Sequence, residues 1–224
     1  MCARFTLHSP PDLVAERFGL PQAPQLVPRY NVAPSQLVAV IGSKVGGGRG
    51  LAMFQWGFIP HWAADAKGPK PVNAKVETIA EKPAFRDSFR ERRCLIPADG
   101  FYEWRTTPEG KKPLFCRLKN GDLMALAGIW DVWRSPTNKV FTCAIITTTP
   151  NAVIEPIHNR MPAIIAPSDW DRWLDSNETD PAKLLPLLTP YPAEEMEAIP
   201  VNPVVNSSRH EGPDCLTPEP TTAV

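Results

Sequence analysis

Apolar residues fall in short runs along this chain, with few long helical stripes. Residues 36–41 and 51–58 are apolar and partly β-branched, and the triplet Gly46-Gly47-Gly48 between them predicts a hairpin. Residues 93–104 read as two short strands joined at Asp99-Gly100. Residues 114–118 and 123–130 flank Asn120-Gly121, a dipeptide that tolerates positive φ and so predicts a second hairpin. A β-branched strand follows at 140–149 and a last strand at 196–201. Helical patterning is confined to three stretches. Residues 80–93 are amphipathic with Pro83 in the first turn, 168–174 are capped by Ser168 with Asp169 and Asp171 following, and 182–188 form a short helix. No internal repeat is evident. These elements predict one α+β domain with a mainly antiparallel core and peripheral helices.

Composition changes this picture little. The length of 224 residues suits one domain, and 27 prolines favour turns and short elements. The domain is expected over residues 1–212, with 213–224 a flexible, frayed Pro-rich tail. Lys+Arg 24 balance Asp+Glu 24, so any nucleic-acid contact must rest on local patches. Five cysteines, an odd number with no C-x-x-C pair, argue against a disulfide framework and a zinc site. Cys94, Cys116 and Cys143 sit in apolar stretches and read as small core residues. No signal core or bilayer-length apolar stretch is present, so a reduced, cytoplasmic protein without membrane, metal or cofactor is expected. No oligomeric signal is visible, and monomer is the default.

Four features carry candidate chemistry. Removal of Met1 would leave Cys2 with a free α-amine beside its thiol, a 1,2-aminothiol able to close a thiazolidine on an aldehyde; a nearby cation would lower the thiol's pKa. The alternative is an incidental early cysteine. His158 lies in the polar knot Glu155-Pro156-Ile157-His158-Asn159-Arg160, where imidazole suits proton transfer or a structural role. Glu103 alternates with Tyr102 and Trp104 and should project to the opposite face. It is either a carboxyl with a raised pKa, as a general acid requires, or a rim glutamate paired with Arg105. Asn73 offers a donor and an acceptor to a substrate, or simply caps a turn. Around it Lys67, Lys70, Lys75, Lys82, Arg86, Arg90, Arg92 and Arg93 outnumber the local acids, beside Trp56 and Trp62. That composition suits a single-strand groove, or a solvated helix face.

Together the segments Met1-Cys2-x-Arg4-Phe5, Tyr30-Asn31-Val32-Ala33-Pro34, Trp56-Gly57-Phe58-x-Pro60, Asn73-Ala74-Lys75-x-Glu77-Thr78, Asp99-Gly100-Phe101-Tyr102-Glu103-Trp104 and His158-x-Arg160-x-Pro162 resemble the SRAP family, the SOS-response-associated peptidases that process abasic sites. The resemblance implies a compact fold with a barrel-like β core and a basic channel for single-stranded DNA. It implies a self-crosslinking protein of the DNA damage response, with peptidase and lyase-type side activities. Cys2 would be the crosslinking residue, with Asn73, Glu103 and His158 completing the active site. Arg4, Lys75 and Arg160 match phosphate-contacting positions, while Asn31, Pro34, Trp62 and Thr147 match parts of the DNA-facing surface. The chain departs from the family at Ala3, where Gly is usual, at Lys75, where Arg is usual, and at Ala63, where a second tryptophan is frequent. Lys75 keeps the charge but loses the bidentate fork. The rival readings are an N-terminal-nucleophile amidohydrolase, such as a glutamine amidotransferase domain, and a non-catalytic single-strand binding module.

Overall fold

The chain runs β1 (Phe5–Leu7), α1 (Pro11–Phe18), β2 (Arg29–Val32), β3 (Leu37–Ser43), β4 (Arg49–Trp56), β5 (Asn73–Lys75), α2 (Val76–Ile79), α3 (Arg86–Glu91), β6 (Arg93–Ala98), β7 (Gly100–Thr107), β8 (Gly110–Leu118), β9 (Met124–Arg134), β10 (Lys139–Thr148), β11 (Met161–Pro162), α4 (Trp170–Leu174), α5 (Pro181–Leu184) and β12 (Met196–Pro200), with short 3-10 turns among the later elements. The computed structural model describes residues 2–44 and 46–219. Met1, expected to be removed, and the last five residues of the expected tail lie outside the described residues.

The strands form two sheets. One is a closed ring in which β10 pairs with β4, β4 with β3, β3 with β6, β6 with β9, and β9 again with β10. Only the β10–β4 seam of this ring is parallel. Along β10, β4 pairs at Thr142 and Cys143, and β5 takes over in parallel at Ile145 to Thr147. The second sheet is antiparallel, in the order β12-β8-β7-β1-β2. The α+β barrel expectation is thus met, with helices outside the ring.

Period-2 alternation explains the packing. In the barrel strands, Val38, Val40, Ile96, Leu126, Cys143 and Ile145 pack in one cluster with Cys2, Phe5 and Phe101 of the second sheet. Their neighbours Ala39, Ile41, Leu95, Ala127, Ala144 and Ile146 pack in another with Val14, Phe18, Phe89, Trp170 and Trp173 from the helices. Strands buried on both faces read as continuous apolar runs, which is what the sequence shows. Cys94, Cys116 and Cys143 are all buried, as expected.

Several local readings need correction. The Asn120-Gly121 turn makes no hairpin: β8 pairs with β7 and β12, and β9 pairs with β6 and β10, so the turn carries the chain from one sheet to the other. Likewise β6 and β7, adjacent at Asp99, lie in different sheets. The expected 80–93 helix shrinks to α3. Pro83 disfavours helical geometry at Lys82, so the α2 turn closes there through Lys82 N–H to Thr78 O (2.9 Å) and a new helix starts afterwards. Ser168 makes no side-chain cap; it sits in a 3-10 turn before α4. The expected frayed tail is ordered through residue 219: Cys215 is buried, and Pro218 bridges to Val201. Apolar contact at Cys215 holds a segment whose prolines alone suggested fraying.

Candidate active site

The second sheet fixes the start of the chain. β1 is an interior strand, with Phe5 opposite both Val32 and Phe101, and Tyr102 N–H donates to Arg4 O at 3.0 Å. The carboxylate of Asp99 receives the His8 N–H at 2.6 Å and the Ser9 N–H at 3.3 Å, tying down the other end of the strand. Gly100 is obligatory here. A Cβ on it would lie 2.6 Å from the Cys116 carbonyl oxygen and 2.5 Å from the Phe115 ring. Residues 2–4 are therefore laid beside β7, which carries Glu103.

Cys2 is fully buried, and Asn73 Nδ2 donates to its carbonyl oxygen at 2.9 Å. Asn73 is positioned by the parallel pairing of β5 with β10, opposite Ile145. Its Oδ1 is buried and has no hydrogen-bond partner among the described residues. That is an acceptor held ready for an N–H. Glu103 is also buried. Burial lifts its carboxyl above the usual carboxylate range, and the nearby His158 opposes that rise. The expected projection of Glu103 away from Tyr102 holds: Tyr102 packs with Phe115 and Val205 on the other face.

His158 ends a turn built on Asn151, whose Oδ1 accepts the N–H groups of Val153 and Ile154, while His158 N–H donates to Ile154 O. Its Nδ1 accepts the Arg160 N–H at 3.0 Å and lies 3.2 Å from the Arg160 carbonyl oxygen. Accepting at Nδ1 leaves the proton of the neutral ring on Nε2. Glu103 and His158, with Ala3, Arg4, Trp104, Lys111 and Asn206, line a cleft of about 410 Å³. A slightly larger groove of about 440 Å³ on the barrel, lined by Lys44, Phe54 and Trp130 among others, holds none of Cys2, Asn73, Glu103 and His158.

The Cys2 thiol departs from expectation. Burial pushes it well above its ordinary value, Glu103 pushes the same way, and no cation overcomes them. A thiol in this setting stays protonated at neutral pH and needs a base when it reacts.

The DNA-facing candidates divide. Arg4 lines the cleft, stacks 5.8 Å over Trp104, and donates to Asn31 Oδ1 (2.8 Å) and Val205 O (2.9 Å). Asn31 itself is fully buried, so its role is a bracket: its Nδ2 donates to the carbonyls of Ser207 and His210, both at 2.9 Å. Thr147 is likewise buried, opposite Lys75 in the β5–β10 register. Neither can present its side chain to a surface. Lys75 is exposed. Arg160 is engaged bidentately by Glu77 and by the Thr147 carbonyl oxygen. Pro34 is half-buried, and Trp62 stands 56% exposed on a loop whose His61 and Ala63 are tied to Asp131 and Trp133 of β9. The basic stretch is thinner than its composition suggested: Arg93 is buried against the carbonyls of Trp173, Phe89 and Glu178, and Arg92 pairs with Asp131. Trp104, Lys111 and Asn206 were not singled out in the sequence. The first was visible within the Asp99–Trp104 motif; the other two carried no local signal.

The family model for SOS response associated peptidase (SRAP) matches residues 1–208. The abasic site processing protein YoqW of Bacillus subtilis is 44% identical over 222 residues, covering 96% of this chain and 99% of the relative. The abasic site processing protein HMCES of Rattus norvegicus is 29% identical, covering 97% of this chain and 76% of the relative. Among solved structures, a protein from Bacteroides thetaiotaomicron superposes with a TM-score of 0.86 at 27% identity, covering 96% of this chain and 99% of the other. A phage-related protein from Bordetella bronchiseptica gives 0.72 at 26% identity, covering 90% and 94%.

Proposed function

Because the chain belongs to the SRAP family, we propose that it captures abasic sites in single-stranded DNA as a covalent link to Cys2 once Met1 has been removed. The observation that carries this reading is the Asn73–Cys2 hydrogen bond, which holds Cys2 directly behind Ala3 of a cleft lined by Ala3, Arg4, Glu103 and His158.

The abasic sugar is mostly a closed hemiacetal. His158, in the cleft beside Glu103, exchanges the proton that opens it. The α-amine of Cys2 adds to C1′ of the aldehyde, water leaves, and an imine remains. The thiol then adds to the imine carbon; Glu103 takes the thiol proton as the S–C bond forms, and the imine nitrogen regains one. One water is released per thiazolidine. The high proton affinity of the buried thiol supports this order, amine first and sulfur second. Asn73 Oδ1 accepts from the amine and holds it toward the sugar. Proximity supplies much of the rate, because amine and thiol share one residue. Reversal runs through the same imine with Glu103 as acid, and the imine acidifies the C2′ proton, which allows weak β-elimination. Met1 leaves by self-cleavage or by a separate aminopeptidase. The protein acts as a monomer in a reducing cytoplasm, at the nucleoid if the source is bacterial.

The test is incubation of Met1-processed protein with a single-stranded oligonucleotide bearing one abasic site. A heat-stable, slower-migrating adduct, absent from Cys2→Ala, is expected. No adduct, together with glutamine hydrolysis, would replace this reading with the amidohydrolase.

A further inference from the structure

The sequence predicts no zinc site, because no two cysteines fall in a C-x-x-C spacing. Folding brings together a different set at the far end of the chain: His210, Asp214 and Cys215, whose ligand atoms all lie within 4.8 Å of one another. His210 Nε2 sits 2.8 Å from both carboxylate oxygens of Asp214. Cys215 closes the turn from inside, fully buried, while His210 and Asp214 stay partly open to solvent. We infer that His210, Asp214 and Cys215 form a binding site for a single zinc-like divalent cation.

The donor set selects the cation class. One thiolate, one imidazole and one carboxylate suit zinc, with water in the fourth position, and disfavour magnesium and calcium, which take all-oxygen sites. The geometry is close to what such an ion needs. Metal–ligand bonds of about 2.0–2.3 Å in a tetrahedron put ligand atoms roughly 3.4–3.6 Å apart. The His210–Asp214 separation must therefore open by about 0.6 Å, and the thiol, within 4.8 Å of both, must move in by at most about 1.4 Å. Gly212 lets the turn fold this tightly, because a Cβ there would lie 2.7 Å from Asp214 Oδ1. The His210 backbone is already anchored, its carbonyl oxygen accepting from Asn31 Nδ2 at 2.9 Å. Binding replaces the Cys215 thiol proton, and any proton shared between His210 Nε2 and Asp214, with the metal; those protons leave to solvent.

The site lies apart from Cys2 but touches the same frame. Asn31 joins the His210 carbonyl to the Arg4 guanidinium. An ion there clips the Pro213–Leu216 turn to the strand that seats Arg4, which is a structural role.

Cobalt(II) titration of the metal-free full chain tests this. Expected are a thiolate-to-cobalt absorption band in the near ultraviolet and tetrahedral visible bands that saturate at one equivalent. Both are lost in Cys215→Ser and in His210→Ala, and both are retained in Cys2→Ala, since Cys2 is the competing thiol. Zinc should raise the melting temperature of the wild-type chain by several degrees and leave His210→Ala unmoved; near-ultraviolet circular dichroism checks that this variant is folded. Absence of the bands, their survival in Cys215→Ser, their loss in Cys2→Ala, or equal zinc stabilisation of folded His210→Ala would overturn the assignment.

Discussion

In the proposed mechanism Glu103 works as an acid when the adduct reverses. Its neighbours on β7 are apolar, and burial raises its proton affinity, so the acid form persists above the ordinary glutamate value of about 4.3. Reversal of the adduct needs that acid form and should slow as pH rises through the lifted value. In Glu103→Gln this limb should disappear, with formation or reversal slowed by about 10²–10⁴-fold and single-strand affinity retained. Rates of adduct release across pH 4–9 would check it, and unchanged rates in both directions would remove Glu103 from the mechanism. Arg160 offers a second test at this scale. Its hydrogen bonds to Glu77 hold that carboxylate below its usual value, so the pair is intact at neutral pH and a phosphate must compete with Glu77 for the guanidinium. Glu77→Gln should tighten binding of undamaged single strands several-fold at low salt, as read by fluorescence anisotropy; weaker binding would mean that Glu77 orients Arg160 for its ligand. At this scale the sequence was informative about chemistry and poor about exposure. Asn31 stands in a recognisable motif and Thr147 in a β-branched strand, yet both are buried: Asn31 is bound by the Arg4 guanidinium and by the carbonyls of Ser207 and His210, and Thr147 Oγ1 by the Arg160 guanidinium.

Among elements, those specified by their own sequence were legible and those specified by distant partners were not. The β3–β4 hairpin follows from two apolar runs around three glycines, all with positive φ. The Asn120-Gly121 turn carries an equally strong local signal, but its flanking strands find better partners in β7, β12, β6 and β10. Helix α1 had both end signals, Pro11 at its first position and Gly19 in the left-handed conformation at its end. Its single turn and a half of apolar spacing hid it among loops. The Gly100 contact predicts how tightly β8 is held against β7. Gly100→Ala should cost about 1–3 kcal/mol in urea unfolding, because the carbonyl of Cys116 cannot retreat without breaking the β7–β8 ladder. A change within error would mean the two strands can separate slightly at no cost, loosening the seat of Cys2.

For the whole molecule, a balanced formal charge leaves any phosphate contact to local cations. Arg4, Lys75 and Arg160 are candidates for phosphate contact, so capture should depend on salt with a log–log slope of roughly −2, from about −0.7 per phosphate on a single strand. Measuring adduct yield at limiting protein from 50 to 300 mM salt checks this; a flat response would exclude all three as phosphate clamps. No helix among the described residues is long and apolar enough to cross a membrane. The class of fold was readable because both faces of the barrel strands are apolar. Closure of the ring was not, since it depends on β10 meeting β9, β4 and β5 at once. The same long-range wiring has a consequence in time. Phe5 pairs with Phe101, so roughly a hundred residues separate the strand next to Cys2 from its partner. At about 5–20 residues per second, a ribosome needs some 5–20 s to supply β7. During that interval the first residues are open to any processing enzyme that meets the nascent chain, and once β7 docks Phe5–Leu7 becomes an interior strand with Cys2 buried beside it.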